Sequence, residues 1–268
     1  MDKIKHLLAL FCATLAAACS GGRPAQEGPA PAKTEGAAAP APIALRVGTN
    51  AEFAPFEYQG EGGALIGFDV DLLNAMAKEG NFTVSWKDQP WEGLIPGLQN
   101  DEFDVVIAAM TITPERSEVV DFTDPYFEIR QVALVPRESS FKSIDDLKKA
   151  GKIGVCTGQT GDLVAQKLFG ATNPRIARYE SIPLVLKELE QKGVDVVLAD
   201  GDVIRKYVKD HPEATFQVLD MPPEIEPETY GIAVRKGQTE ILDRLNQSLK
   251  AVRQSGELDK IKAKHFSA

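Results

Sequence analysis

Cysteine is scarce: this chain has three in 268 residues, at positions 12, 19 and 156. The first two fall in or beside an apolar N-terminus. The rest of the chain keeps only Cys156, so it has no internal disulfide and must draw its stability from a packed core. Histidine is equally scarce. His6, His211 and His265 lie far apart, and each is read as solvent-facing. No His, Cys or acidic group has metal-ligand spacing. The chain has neither an H-E-x-x-H sequence nor a nucleophile elbow, and the run Thr157-Gly-Gln-Thr-Gly161 lacks the Gly-Lys-Ser/Thr ending of a phosphate loop. No metal, nucleotide or other cofactor is therefore expected. Basic charge is also in deficit. The net charge is −9, with the acids dispersed rather than in blocks, which disfavours nucleic acid as a partner. No basic amphipathic stretch points to a membrane surface. No apolar run reaches the roughly 20 residues of a comfortable membrane span.

The N-terminus has a basic start, an apolar run Leu7-Leu-Ala-Leu-Phe-Cys-Ala-Thr-Leu-Ala-Ala-Ala-Cys19, and small residues before a cut site. This is the pattern of an export signal over residues 1–18. Leu15-Ala-Ala-Ala-Cys19 resembles a bacterial lipobox, in which the cysteine is lipidated and becomes the new N-terminus. Ala16 stands where leucine is commoner, and plain cleavage after Ala18 is the alternative. Residues 19–43 then read as a lipidated Cys19 followed by an Ala/Pro/Gly/Glu-rich tether with almost nothing to bury. Such a segment cannot offset its own chain entropy.

From residue 44 onward, short β-branched runs alternate with helical periodicity, which argues for α/β with mostly parallel sheets. The first series runs through strands at 45–49, 83–86 and 104–109, with helices at 69–79 and 92–98, to a strand at 132–135. A second series begins at Ile153. The turn Leu98-Gln-Asn-Asp-Glu-Phe-Asp-Val-Val-Ile-Ala108 resembles Leu189-Glu-Gln-Lys-Gly-Val-Asp-Val-Val-Leu-Ala199. The two series thus suggest two similar lobes, and two lobes without a flexible linker imply a cleft for a small ligand.

The run Met110-Thr-Ile-Thr-Pro-Glu-Arg-Ser117 follows a buried strand. Thr113 suits a helix N-cap and Pro114 the first helical position, placing Arg116 in the first turn. There its guanidinium fork and free backbone N–H groups can face one anion, a carboxylate socket. Taken alone, Arg116 could equally be a surface residue paired with Glu115 or Glu118. Asp200, similarly, could be only a helix N-cap before Val203-Ile204, and Phe53 and Trp91 only core aromatics.

Further motifs move these readings. Arg46-Val-Gly-Thr-Asn50, Phe53-Ala-Pro-Phe-Glu57, Gly67-Phe-Asp-Val-Asp-Leu72, Trp91-Glu-Gly-Leu-Ile-Pro-Gly-Leu98, Asp104 to Arg116, Asp121-Phe-Thr-Asp-Pro-Tyr126, Asp195 to Asp200, Tyr230-Gly231 and Gly256 to Phe266 occur in order. Together they resemble the family 3 solute-binding proteins, the polar and basic amino-acid-binding proteins of ABC importers, over effectively all of 44–268. The resemblance implies a two-lobed periplasmic-binding-protein-like fold (type II) with two hinge strands. It places lobe 1 at 44–134 and 229–268, and lobe 2 at 135–228. It implies that Arg116 clasps a ligand's α-carboxylate beside Thr111, Ala109 and Thr160, that Asp200 receives the α-ammonium, and that Phe53 and Trp91 sandwich the side chain. Asn50 lies where relatives often carry Asp, and Glu57 could face a cationic tip. The ligand expected is a free polar or basic L-amino acid, arginine or glutamine foremost. Cys156 lies at a position that varies among relatives, and inert burial is the simpler reading of it.

The function so implied is extracytoplasmic binding and delivery to an ABC transporter permease, by a monomer held to a bacterial membrane through Cys19. One rival is an enzyme, because the same fold serves cyclohexadienyl and arogenate dehydratases. Another is a sensor protein that presents its ligand to a receptor.

Overall fold

The computed structural model describes residues 41–266. Segment 1–18, Cys19 and the tether as far as residue 40 lie outside the described residues, as do Cys12 and His6. The fold begins with the strand Ile43–Thr49. Ile43, assigned to the tether on composition, is thus the first residue of the first sheet.

Two five-stranded sheets form the body. The first runs in the order Phe82–Asp88, Ile43–Thr49, Val105–Val106, Ala233–Arg235, Val120–Phe122. The second runs Ile176–Tyr179, Ile153–Cys156, Val196–Asp200, Gln131–Pro136, Phe216–Asp220. In each, the first three strands are parallel and the fourth is antiparallel to its neighbours. The two stretches that rhyme in sequence end in Val105–Val106 and Val196–Asp200, which hold the same middle place in their sheets. Both strands are fully buried, which explains why they read as unbroken apolar runs rather than as alternation.

The fourth strand of each sheet arrives from the other lobe. Phe127–Ile129 carries the chain out and Glu228–Tyr230 carries it back, and the two pair antiparallel as the hinge strands. Gln131–Pro136 follows the first crossing immediately and belongs to the second sheet. Residues 131–134, grouped with the first lobe by their place in the sequence series, therefore pair in the second. A run of apolar residues shows that a strand exists, but not which sheet recruits it. Beneath the crossing, Phe56, Phe68, Phe127, Tyr230 and Phe266 make mostly edge-on ring contacts at 4.8–6.1 Å, a geometry favoured by ring quadrupoles.

Gly67 fixes the local path that matters most for the site. Its φ is +138°, and a Cβ there would sit 2.1 Å from the carbonyl oxygen of Phe56. Only glycine lets the helix Phe68–Gly80 start hard against the Phe56–Glu57 backbone. Phe68 N–H then donates to Pro55 O at 2.9 Å and Asp69 N–H to Phe56 O at 2.9 Å. The sequence reading missed the small sheet Glu52–Phe53, Glu57–Gln59, Leu65–Ile66, whose strands are too short to show a period.

The C-terminal helices Thr239–Gln254 and Glu257–Phe266 pack on Phe68–Gly80. That docking corrects the reading of His265 as solvent-facing: its side chain is 8% exposed and lies 2.5 Å from Asp71, with its ring edge-on to Phe68. His211 is half-buried, its ring 4.3 Å from that of Tyr207. Among the described residues, no helix is long and apolar enough to cross a membrane.

Candidate functional site

The C-terminal ends of the middle strands from both sheets meet at one small cavity. This is the crevice where open α/β sheets bind ligands. Asn50, Phe53, Glu57, Trp91, Ala109, Thr111, Arg116, Thr160 and Asp200 all line it, together with Ala108 and Gln159. The nine residues singled out in the sequence are thus brought to one place.

Arg116 sits where the local sequence puts it. Thr113 is the N-cap and Pro114 the first residue of the helix Pro114–Val119, and the Thr113 hydroxyl accepts from Arg116 N–H at 3.2 Å. Arg116 as a whole is 9% exposed. Its Nη1 donates to Thr111 O at 2.7 Å, and its Nη2 reaches across to Gly158 O in the second lobe at 3.0 Å. It lies 5.0 Å from the centre of the Trp91 ring. The cation over Trp91 is therefore the protein's own. Burial lowers the Arg116 pKa, and Asp200 and Glu228 oppose that effect.

Asp200 occupies the N-cap position of the helix Gly201–Asp210, yet its side chain makes no capping bond. It turns inward and is 4% exposed. There it accepts from Tyr230 Oη and from Gln131 Nε2. Burial and the nearby Glu228 push its pKa up to about 7, against the pull of the Tyr230 and Gln131 bonds and of Arg116. A buried carboxylate poised near neutrality, opposite a buried arginine, is a functional-site signature.

Glu57 is 1% exposed and Asp69 is fully buried beneath it. Asp69 Oδ2 accepts from Ala109 N–H at 2.7 Å and from Tyr126 Oη at 2.8 Å. Ala109 holds φ +45°, a left-handed conformation uncommon for a residue with a Cβ. Asp69 thus pins the strained turn that presents Ala109 to the cavity, an arrangement seen where a backbone is fixed for function.

Several side chains are partly committed already. The Thr111 hydroxyl donates to Glu228 Oε2 at 3.1 Å, and Asn50 Nδ2 donates to Gln89 O at 3.2 Å. Phe53 belongs to the core as well as to the cavity wall. Thr160 opens the helix Thr160–Phe169 and accepts from Gln131 Nε2 at 3.0 Å. Cys156 does not line the cavity. The residue is 1% exposed, and burial pushes its thiol pKa up to about 12, which makes it inert.

Sequence reasoning missed Gln131, Tyr230 and Glu228 as partners of these groups. All three stand on or next to the crossing strands. Tyr230-Gly231 stands out only as part of a motif, and Gln131 and Glu228 carry no sequence signal of their own.

A buried arginine and a buried carboxylate on two lobes, facing one small cavity beneath two hinge strands, define a two-lobed binding protein. Residues 45–268 match the bacterial extracellular solute-binding proteins, family 3, and the chain belongs to that family. It is 49% identical over 259 residues to a probable histidine-binding protein of Neisseria gonorrhoeae, covering 97% of this chain and 94% of that one. It is also similar to the arginine-, lysine-, histidine-binding protein ArtJ of Geobacillus stearothermophilus. That structure superposes with a TM-score of 0.80 at 40% identity, over 85% of this chain and 96% of that one. The ancestral amino acid-binding protein AncCDT-1, a precursor of cyclohexadienyl dehydratase, superposes with a TM-score of 0.76 at 35% identity over 84% and 96%.

Proposed function

We propose that the protein binds one free L-amino acid in this cavity and delivers it to the permease of an ABC importer. The observation that carries the reading is the opposition of Arg116, from the first lobe, to Asp200, from the second, across one small cavity. A zwitterion needs a fork donor for its carboxylate and an anion for its ammonium, and such charge-assisted bonds contribute roughly 1.5–3 kcal/mol each. In this reading Arg116, with Thr111 and the first turn of Thr160–Phe169, takes the α-carboxylate. Asp200 takes the α-ammonium, while Phe53, Trp91, Asn50 and Glu57 surround the side chain and Ala109 offers its backbone.

Because the two charges are held by different lobes, the ligand bridges them and favours the closed form, a hinge-type population shift. A polar or basic side chain fits best. Arginine and glutamine were favoured on sequence, and the relative named for histidine adds that amino acid. A binding role is preferred to a dehydratase role, since the groups described pair with a zwitterion's charges. Formation of product from prephenate or arogenate would overturn that preference. Export, and anchoring through Cys19, belong to the same proposal. Cys19→Ser should release the protein from membranes, and retention there would sink the anchor.

The test is thermal melting of the refolded, ligand-stripped chain against each common amino acid. A true ligand at 100 times its Kd adds about 2.7 kcal/mol and raises the melting point by a few degrees. No shift with any amino acid would remove the assignment.

A further inference from the structure

Trp91 and Arg116 are seated over the same part of the core. Trp91 opens the turn Trp91–Gly93 and packs, half-buried, against the cluster that holds Leu94, Leu98, Met110 and Val120. Met110 precedes and Val120 follows the segment that carries Arg116. The guanidinium carbon lies 5.0 Å from the centre of the indole ring, within cation–π reach. The guanidinium's hydrogen bonds among the described residues go to two carbonyls, Thr111 O at 2.7 Å and Gly158 O at 3.0 Å. All three partners are neutral. A ring and two carbonyls steady a buried cation without cancelling its charge, so the fork keeps N–H groups and its full charge for an incoming carboxylate.

Gly158, from the second lobe, completes the seat. Its φ is +69°, and a Cβ there would lie 3.5 Å from Trp91 Nε1. At this one residue the second lobe comes up against the edge of Trp91 and takes a hydrogen bond from Arg116. Held by the ring and by a carbonyl from each lobe, the guanidinium cannot swing without losing a contact. The rotamer freedom of a long cationic side chain is thus lost before a ligand arrives, and binding is spared that cost.

We infer that Trp91 is a positioning residue: it holds Arg116 for the ligand's α-carboxylate, and what it adds to affinity passes through that arginine rather than through the ligand's side chain. The inference rests on the amino-acid reading of the cavity. Trp91 borders the cavity, but its ring is already engaged by the protein's own cation. Every amino acid carries the α-carboxylate, so Trp91 contributes about the same factor whichever side chain is bound. Discrimination among side chains then falls to Asn50, Phe53 and Glu57, which line the same cavity.

The experiment has two arms on the full-length chain, stripped of ligand by refolding. In the first, each of arginine, histidine and glutamine that binds is compared with its own α-amide, which keeps the side chain and the ammonium but has no carboxylate. Trp91→Leu should weaken every amino acid by a similar factor, about two- to thirty-fold, and should leave the affinity for the amides nearly unchanged. Trp91→Phe, which keeps a ring over the guanidinium, should recover most of the loss. Equal losses for acid and amide, as general damage to the fold would give, overturn the inference. So does a loss confined to one side chain. Where the amides bind too weakly to measure, the rescue decides, and a Trp91→Phe protein no better than Trp91→Leu overturns the inference. Should Trp91→Leu not fold, Trp91→Met is read in the same way. The second arm needs no ligand. The side-chain N–H signals of Arg116 in a proton–nitrogen NMR spectrum, assigned by their loss in Arg116→Ala, should move downfield in Trp91→Leu as the ring current disappears. Unmoved signals would overturn the contact itself. If no amino acid binds, the functional reading and the first arm fall together, while the NMR arm still decides whether Trp91 holds Arg116.

Discussion

The Tyr230 phenol, on the returning hinge strand, donates its hydrogen to the Asp200 carboxylate at the end of the second sheet's middle strand. A residue of the hinge thereby sets the ionisation of a residue of the cavity. Without that bond, burial and Glu228 would lift the Asp200 pKa beyond about 7.

A pH dependence follows. The ligand's ammonium needs Asp200 as a carboxylate, so affinity should rise with pH and level off above about 7. Each pH unit below that costs up to about tenfold. Tyr230→Phe should move the whole curve to higher pH. Calorimetric Kd values between pH 5 and 9 check this, and an unmoved curve would contradict the role given to Tyr230.

Asp200→Asn should trade binding for stability. An unfolded Asp has a pKa near 3.9, and Asp200 in the folded protein is raised to about 7. Between those values the folded state holds the extra proton, so this group's contribution falls as pH rises from about 4 to about 7. The variant lacks that penalty. Its ligand-free form should melt a few degrees higher than wild type at pH 8, with little difference at pH 4, while ligand affinity drops. A lower melting point at pH 8 would contradict the account.

Gly161 tests how tightly the second-lobe wall is packed. A Cβ there would sit 2.4 Å from the Leu198 carbonyl oxygen, backbone that cannot move aside cheaply. Gly161→Ala should destabilise the protein by roughly 1–3 kcal/mol and weaken binding by shifting Gln159 and Thr160, which line the cavity. Denaturant melts together with a Kd measure both. Unchanged stability would show that the helix start can yield.

Much of this site could be read in the sequence, and what could not has physical reasons. The placement of Arg116 depends on its neighbours in the chain, Thr113 and Pro114, so local rules suffice. Asp200 is ambiguous locally, because Asp is an equally good N-cap. Only the position of Tyr230 and Gln131 shows that its side chain turns inward. Those partners come from the crossing strands, whose pairing is a long-range event, and the same blindness put residues 131–134 with the wrong sheet. His265 looked exposed because it is close to the C-terminus, yet the helix Glu257–Phe266 docks and buries it against Asp71.

The most direct test is calorimetric titration of the stripped wild type and of Arg116→Ala with arginine, histidine, lysine and glutamine. At least one should bind the wild type with one-to-one stoichiometry. Removing one partner of a buried charge pair costs about 2–5 kcal/mol, so Arg116→Ala should bind that ligand some thirty-fold to several thousand-fold more weakly while keeping a folded circular-dichroism spectrum. Undiminished binding by a folded Arg116→Ala protein, or no binding by the wild type, would contradict the account.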